Sequence, residues 1–301
     1  MQRLPHSQCG HQVCSWWCYG LQCSCWLCVS CHLVFARCVA WVYSDCAGLR
    51  LHVATILRSR IDAPTLAWFG ILCSSWVATS RGSIFRTWLV PEGVSGPAVD
   101  EGNCMAARCS FLFLLIHALG GVWALEQPRS LLLMQYGRMR DVAARIQVYD
   151  VAFWMAGFGA KTPKRSMLWS NSIGCMHFQT PKLSMKKAKL LKDVDFGEPV
   201  MKYVHKGKKC WKGTRWLTAT GIYTRLFGKH IVEVFKRNHM KPPVSDFPLK
   251  ASMQEAQEAF EQESFDDLVA DGRLIEVIRY LRSLKGLKIP ESWRPLVPTK
   301  L

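Results

Sequence analysis

Three strand-like runs alternate with helical patterns between residues 47 and 172, and this alternation restricts the fold more than any other feature of the sequence. LRLHVATILRSRI carries apolar residues at helical spacing and precedes the continuous apolar run TLAWFGIL. The same order recurs twice, with EGNCMAARCSFLFLLIHAL before VWAL and a helical pattern over 130–145 before VYDVAFWM. Alternating helices and buried strands are typical of a parallel α/β sheet with right-handed crossovers, and we predict this fold class.

Reactive side chains follow two of these strands. Cys73 follows TLAWFGIL, and Glu126 follows VWAL. A cysteine at a strand end is usually a small core residue when it is considered alone. Because ligands of parallel α/β sheets bind outside the carboxyl ends of the strands, a thiol and a carboxyl group at one rim favour a functional site.

The segment between the first two strands is expected to divide into a loop and a helix. Residues 74–96 contain Arg, Gly and Pro at close intervals, which predicts an exposed loop. Asp100 is expected to cap the helix that follows, and Gly120 and Gly121 are expected to end it.

A turn with two cations follows the third strand. GFGAKTPKRSMLWSNS, residues 157–172, combines a glycine-containing turn, a Thr-Pro-Lys-Arg run and a new apolar strand. This pattern predicts a hairpin-like unit with Lys164 and Arg165 at its bend. An ordinary solvated turn explains the two cations when the stretch is considered alone.

The pieces GILCSSW, VWALEQP and FGAKTPKRSMLWSN resemble, in this order, three signature motifs of the cytosine-5 DNA methyltransferase family. In that family one strand ends in Gly-Pro-Pro-Cys-Gln-Ser, a later strand ends in Glu-Asn-Val, and a Gln-x-Arg-x-Arg motif begins another strand. The resemblance implies that Cys73 is the nucleophile, that Glu126 holds the base and that Arg165 is the first arginine of the last motif. Over 47–172 it implies a Rossmann-like methyltransferase sheet, incomplete at its N-terminal end.

The chemistry of the family explains why these residue types would lie together. Cytosine C5 is a weak nucleophile, and a thiolate that adds to C6 makes C5 enamine-like. A carboxyl group near N3 supports the addition, while an arginine near the base oxygen stabilises negative charge and lowers the pKa of the thiol. The target base must leave the duplex to reach these groups. The resemblance therefore implies DNA as partner and S-adenosylmethionine as methyl donor, and the location would be nuclear if the chain binds DNA.

Several positions depart from the family motifs. Leu72 and Ser74 flank the cysteine where the family has Pro and Gln. Pro163 and Met167 replace the Gln and the second Arg of the last motif. No Asp-x-Phe-x-Gly-x-Gly stretch, which receives S-adenosylmethionine in the family, precedes residue 47. Two functions remain open, a cytosine-5 methyltransferase-like enzyme or a noncatalytic nucleic-acid-binding protein that retains the scaffold, and a membrane-anchored protein is a more distant third.

Cysteines are concentrated in residues 1–46, which hold nine of the 14 in the chain. The sequence CWLCVSCH at 25–32 permits a zinc site, although its spacing is irregular for one. Residues 14–36 are a stretch of 23 without formal charge, long enough to span a membrane or to form a secretory segment. A third interpretation is a terminal segment with no folded role of its own.

Positive charge is concentrated in the middle of the chain. Residues 157–250 contain 20 of the 39 Lys and Arg and only five acidic residues, and the whole chain has a formal net charge of +17. From Lys182 to Arg215 lysines alternate with aromatic residues, which favours nucleic-acid binding, although a solvated β-hairpin with its tip at 206–208 explains the same pattern. The predicted nucleic-acid contacts are Arg81, Lys164, Lys186, Lys187, Lys208, Lys209 and Trp211.

The sequence divides into four parts. They are a Cys-rich N-terminus (1–46), a methyltransferase-like α/β core (47–172), a basic accessory segment (173–250) and a helical C-terminal extension (251–301). YTRLFGKHIVEVFKRNHM, in the basic segment, has apolar residues at helical spacing and predicts a helix that packs on the sheet. In the extension, acidic and apolar residues alternate, which predicts an amphipathic helical hairpin over 252–285.

Overall fold

The computed structural model describes residues 13–17, 24–28, 33–36, 66–71, 73–77, 80–184, 200–214, 216–217 and 220–237. The helix predicted before TLAWFGIL and the helical hairpin predicted over 252–285 lie outside these residues, as do Lys186 and Lys187. Among the helices of the described residues, none has the length and apolar character needed to cross a membrane.

One mixed sheet forms the centre of the fold. It contains seven strands, β1 Val13–Trp17, β2 Ser24–Cys28, β3 Leu33–Ala36, β4 Leu66–Phe69, β5 Val122–Pro128, β6 Tyr149–Trp154 and β7 Arg165–Ser170, in the spatial order β1-β2-β3-β4-β5-β7-β6. β4 pairs in parallel with both β3 and β5, whereas the other neighbouring pairs are antiparallel. The fold is therefore α/β, and the Cys-rich N-terminus contributes three of its strands.

The three strands predicted to be parallel, β4, β5 and β6, run in the same direction, and the hairpin-like unit predicted over 157–172 is confirmed, but β7 interrupts the parallel set. This strand lies between β5 and β6 and is antiparallel to both. The connection from β6 to β7 covers only residues 155–164 and includes a 3₁₀ turn. A parallel pair needs a crossover of about a dozen residues or more, so this short connection requires an antiparallel pair. The bend predicted at Lys164 and Arg165 is the point where β7 begins.

Helices cover both faces of the sheet. The described α-helices are α1 Arg81–Ile84, α2 Pro97–Ala118, α3 Gly137–Arg145 and α4 Arg225–Lys236. α2 and α3 pack on one face against Phe69 and Trp123, while α4 and the 3₁₀ helix Ile173–Phe178 pack on the other face against Trp68. Burial on both faces explains why β4 and β5 are continuous apolar runs. The strands predicted at these runs and the helix predicted before Pro242 are confirmed.

The N-cap of α2 differs from the predicted residue, whereas its C-terminal end lies where it was predicted. The N-cap residue is Gly96 rather than Asp100, because Pro97 takes the first helical position, where the missing N–H costs nothing. Oδ2 of Asp100 instead accepts hydrogen bonds of 3.1 Å from Gly96 N and Ser95 Oγ. Gly120 follows the helix with a left-handed φ of 73°, which confirms the predicted end.

A separate two-stranded sheet lies in the basic segment. It consists of β8 Val200–His205 and β9 Lys208–Gly213, which are antiparallel. Lys206 and Gly207 join the strands with φ of 47° and 74°. Two successive left-handed residues indicate a type I′ turn, whose twist matches that of the flanking strands. The predicted hairpin and its tip are confirmed.

Candidate active site

Glu126 lies near the carboxyl end of β5, where the neighbouring β4 has already ended. β5 pairs with β4 only as far as Leu125, whereas its pairing with β7 continues to Pro128. The strand therefore does not end after VWAL as predicted, because β7 provides it with a partner beyond that point. After Phe69, the last residue of β4, the chain leaves the sheet and leads to Cys73.

A side-chain hydrogen bond from Gln127 links the segment before Cys73 to β5. Its buried Nε2 donates a hydrogen bond of 2.8 Å to the carbonyl oxygen of Ile71. The carbonyl oxygen of Cys73 accepts a hydrogen bond of 2.9 Å from the backbone N–H of Trp76, which closes a tight turn. The structure thus brings the half-buried Cys73 thiol to the rim that carries Glu126.

The carboxyl group of Glu126 is held from two sides in a buried position. Only 4% of the residue is exposed. Its Oε2 accepts a hydrogen bond of 2.9 Å from the hydroxyl of Tyr223. Its Oε1 lies 3.3 Å from Nζ of Lys164, close enough for an ion pair but without the geometry of a hydrogen bond. The Lys164 side chain is 16% exposed, so little water screens the attraction.

Strand alternation explains why Lys164 rather than Arg165 reaches the carboxyl group. Glu126 lies opposite Leu168 across the β5–β7 pair, so these two side chains share one face of the sheet. Because side chains alternate along a strand, Ser166 lies on the same face of β7. Lys164 precedes Ser166 by two residues, so its side chain lies on the same face as Ser166, Leu168 and Glu126.

Arg165 lies on the opposite face of β7 and is exposed. Its guanidinium carbon is 5.4 Å from the ring centroid of Trp154, which is its direct partner in the β6–β7 register. The arginine that the resemblance aligns with the family motif therefore stacks on an aromatic ring. The cation that the structure brings to Glu126 is Lys164.

Electrostatics at the rim act on the Cys73 thiol in both directions. Burial raises the pKa of Cys73; the charge of Lys164 opposes this shift, and the charge of Glu126 adds to it. The net direction of the pKa is upward, so the thiol is protonated at neutral pH. Lys164 is the charge that favours the thiolate, which is the reactive form of cysteine.

Tyr223 is a site residue that the sequence reasoning missed. It precedes α4, and its hydroxyl lies against Gly70, where a Cβ atom would be 2.6 Å from the hydroxyl oxygen. The indole N–H of Trp68 donates to the same oxygen over 3.4 Å. The only signal in the sequence was its place before a helical pattern, which does not connect it to a glutamate 97 residues earlier.

Two buried oxygen atoms on this face of the sheet take part in no hydrogen bond within the described residues. They are Oε1 of Glu126 and Oγ of Ser166. Ser166 is a diagonal neighbour of Glu126, since Leu168 lies directly opposite the glutamate. A buried polar atom without a hydrogen bond is costly and calls for an explanation, of which a catalytic role is one.

Arg86 anchors the loop that follows Cys73. The expectation that residues 74–96 are exposed throughout is wrong, because Arg86 and Trp76 are fully buried. The guanidinium carbon lies 3.6 Å from the Trp76 ring centroid, and burial lowers the pKa of Arg86 to about 10. The guanidinium donates to the carbonyl oxygens of Pro91, Glu92 and Val99 and to Oδ1 of Asn103.

The residues predicted to contact nucleic acid do not form one surface but lie on different elements of the fold. Lys208 and Lys209 are exposed on β9, and Trp211 on the same strand is 46% exposed. Lys202 lies directly opposite Trp211, so one face of the hairpin combines cations with an aromatic ring. Arg81 begins α1 in the loop after β4. Of the predicted contacts in the described residues, Lys164 is the one that the structure brings to the rim.

Comparison of the chain with protein-family models, with curated proteins and with solved structures gives no match. In the described part of the chain, no group of three or more His, Cys, Asp or Glu is arranged to hold a metal ion. The CWLCVSCH stretch lies outside the residues whose side chains are described. The functional assignment therefore depends on the rim and on the motifs that led to it.

Proposed function

We propose that the chain is a cytosine-5 DNA methyltransferase-like protein, with Cys73 as nucleophile and Glu126 as the residue that holds the base. The observation that carries the proposal is a thiol and a buried carboxyl group at one rim, both influenced by Lys164. Parallel β4 and β5 with helices on both faces also favour a Rossmann-like methyltransferase sheet, in which ligands bind at this end of the strands.

Nucleophilic addition to a cytosine that has left the duplex would use each of these groups. The Cys73 thiol first loses its proton to water. The thiolate then forms a bond to C6, the electron pair of the C5–C6 double bond forms a C4–C5 double bond, and negative charge develops at N3. Glu126 holds the ring at its N3 edge by accepting a hydrogen bond from the amino group beside N3. Lys164 takes the part that the resemblance gives to an arginine, because its ammonium group stabilises the developing charge.

The described residues do not fit S-adenosylmethionine. The resemblance implies a glycine-rich loop for this cofactor, and the described part of the chain contains no such loop beside Cys73. Gly70, at the carboxyl end of β4, is covered by the hydroxyl of Tyr223. The chemistry proposed for these residues is therefore the reversible addition of Cys73 to the base.

Hydrogen exchange at cytosine C5 tests this addition without a methyl donor. While sulfur is bonded to C6, C5 takes a deuteron from D₂O, and it loses its original proton before the thiolate leaves. We expect the wild type to place deuterium at C5 of a deoxycytidine oligonucleotide, as measured by mass spectrometry. Cys73→Ser should give only the protein-free rate. Absence of exchange with the wild type would overturn the proposal.

Calorimetric titration with S-adenosylmethionine tests the cofactor separately. Binding, together with covalent capture of a 5-fluorocytosine oligonucleotide by the wild type but not by Cys73→Ser, would extend the proposal to methyl transfer. Exchange at C5 without cofactor binding would restrict the protein to the addition step.

A noncatalytic nucleic-acid-binding protein is the second candidate, and the β8–β9 hairpin favours it. Tyr203 and Trp211 are 43% and 46% exposed on this hairpin. Exposed lysines surround them: Lys202, Lys206, Lys208, Lys209 and Lys212. The register places Lys202, Lys209 and Trp211 on one face of the hairpin and Tyr203, Lys208 and Lys212 on the other. Cations contact phosphates while aromatic rings stack on bases, so each face has both parts of a single-strand interface.

Fluorescence anisotropy with a labelled single-stranded oligonucleotide tests the hairpin. In the variant K208Q/K209Q we expect weaker binding and a salt slope reduced by about 0.7 for each phosphate that the protein no longer neutralises. The matched control K229Q/K236Q removes two exposed charges from α4 and should leave the slope unchanged. Equal losses in the two variants would contradict a hairpin interface. Oligonucleotide binding by Cys73→Ser would show that nucleic-acid binding does not require the Cys73 thiol.

A further inference from the structure

The hydroxyl of Tyr223 is oriented by two polar neighbours. The indole N–H of Trp68 donates to the hydroxyl oxygen over 3.4 Å, and the hydroxyl donates to Oε2 of Glu126 over 2.9 Å. The ring is also held, because it packs against Trp68 and Phe227 with centroid distances of 6.5 and 5.2 Å. The donor at Oε2 therefore has a fixed direction.

Gly70 makes this arrangement possible. A Cβ atom at position 70 would lie 2.6 Å from the Tyr223 hydroxyl oxygen and 3.4 Å from the ring carbon that carries it. Position 70 follows β4 directly, so its backbone cannot move away from the Tyr223 hydroxyl without disturbing the paired strand. A larger residue would displace the hydroxyl from Glu126.

The other carboxyl oxygen of Glu126 is ion-paired with Lys164 and still has acceptor capacity. Oε1 is buried and accepts no hydrogen bond within the described residues, although Lys164 Nζ is 3.3 Å away. A carboxylate oxygen can accept more than one hydrogen bond, so an N–H group can bind Oε1 while Lys164 remains close. The group that binds must be a donor, such as the amino group of cytosine rather than the carbonyl group of uracil.

We propose that Tyr223 is a positioning residue that occupies Oε2 and thereby directs Oε1 of Glu126 towards the amino group of the base. This inference rests on the proposed function. It assigns Tyr223 and Gly70 to the selection of cytosine over uracil, and it separates their role from that of Cys73, which forms the bond.

Tyr223→Phe tests the role because it removes the hydroxyl and keeps the ring. We expect C5 exchange in a deoxycytidine oligonucleotide to fall about tenfold, the usual effect of losing a hydrogen bond to a charged group. The ratio of exchange at cytosine to exchange at uracil should fall as well, which a purely structural role would not change. Tyr203→Phe, on the exposed hairpin, is the matched control. Unchanged rate and ratio in Tyr223→Phe would overturn the proposal.

Gly70→Ala provides a second and independent variant. It should reproduce the loss seen in Tyr223→Phe, and it should cost less when it is combined with Tyr223→Phe, because the clashing hydroxyl is then absent. Equal cost of Gly70→Ala in both backgrounds would contradict the proposed contact.

A measurement that does not depend on activity separates this inference from the proposed function. In protein labelled with ¹³C at glutamate carboxyl groups, the Glu126 resonance is identified by its loss in Glu126→Gln. We expect Tyr223→Phe to move this resonance. If the wild type shows no C5 exchange, the proposed function fails while a moved resonance still supports the positioning; an unmoved resonance overturns the positioning itself.

Discussion

Cations lie in two kinds of environment in this molecule, and the difference between them separates the proposed chemistry from the proposed attachment of nucleic acid. Lys164 is largely buried, with a carboxyl oxygen of Glu126 3.3 Å from its ammonium group, whereas Lys208 and Lys209 are exposed on β9. Little water screens a buried charge, while an exposed charge is screened by salt over about 10 Å. A buried cation can therefore tune a neighbouring thiol, and exposed cations attract a polyanion in a salt-dependent way.

Glu126→Gln tests the buried side of this comparison most strongly. The amide keeps the size of the side chain but loses the charge and one acceptor, so C5 exchange should fall about 100-fold or more. Lys209→Gln, at saturating oligonucleotide, should change the rate less than about threefold, because it alters attachment only. Deuterium incorporation measures both variants. Similar losses in the two would remove the distinction between the rim and the hairpin.

Lys164→Met leaves a buried carboxylate without its cation. We expect the free energy of unfolding to fall by about 3 kcal/mol, measured by urea denaturation. Cys73 should also react more slowly with iodoacetamide, because the charge that lowers the pKa of its thiol is absent. The matched change Lys209→Met should stay within about 0.5 kcal/mol of the wild type. A small effect at both positions would show that Lys164 behaves as an ordinary surface lysine.

Arg86→Lys extends the comparison to a buried cation that binds carbonyl and amide oxygens. Lysine cannot reproduce the planar fork of a guanidinium, so several oxygens would lose their donor. The expected loss is about 2 kcal/mol of unfolding free energy. Arg165→Lys, on the exposed face of β7, should cost less than about 0.5 kcal/mol. If the surface change costs as much, burial does not distinguish the two arginines.

Buried thiols give the smallest expected effect. Burial raises the pKa of Cys73 and Cys109, and raises the pKa of Cys175 to about 12. Thiols of the unfolded chain ionise near pH 8.5, so above about that pH the unfolded state releases protons that the folded state retains. The free energy of unfolding should therefore fall by about 0.7 kcal/mol per thiol between about pH 8 and 9. Urea titrations at a series of pH values measure how steeply the free energy of unfolding falls with pH. We expect the fall to be smaller in Cys109→Ala than in the wild type.

Local patterns were sufficient to predict elements that depend on neighbours in sequence. The continuous apolar run of β4, the amphipathic pattern of α4 and the Lys206–Gly207 turn were all recognised in this way. The position of β7 between β5 and β6 was not, because it depends on which strand edge is open. The burial of Arg86 was missed for a related reason: its charge suggested exposure, while its partners are backbone oxygens that no residue pattern displays.

The candidate site was predicted in part, for reasons that individual residues make clear. Cys73 and Glu126 were found because each follows its own strand. Lys164 was assigned to nucleic acid and Arg165 to the site, since a motif comparison aligns residue types but does not contain the β5–β7 register. That register places Glu126 opposite Leu168 and so selects the even-numbered side chains of β7. Tyr223 comes from a distant segment that only the folded chain brings to β5.

The insertion of β7 between β5 and β6 sets the order in which a newly synthesised chain can complete the rim. β4 and β5 leave the ribosome before β7 and can pair at once, but the other edge of β5 stays open until residues 165–170 emerge. Lys164 then reaches Glu126, and Tyr223 follows only after a further length of chain. An open strand edge can pair with other chains. The open edge of β5 is therefore exposed to pairing with another chain between the emergence of β5 and that of β7.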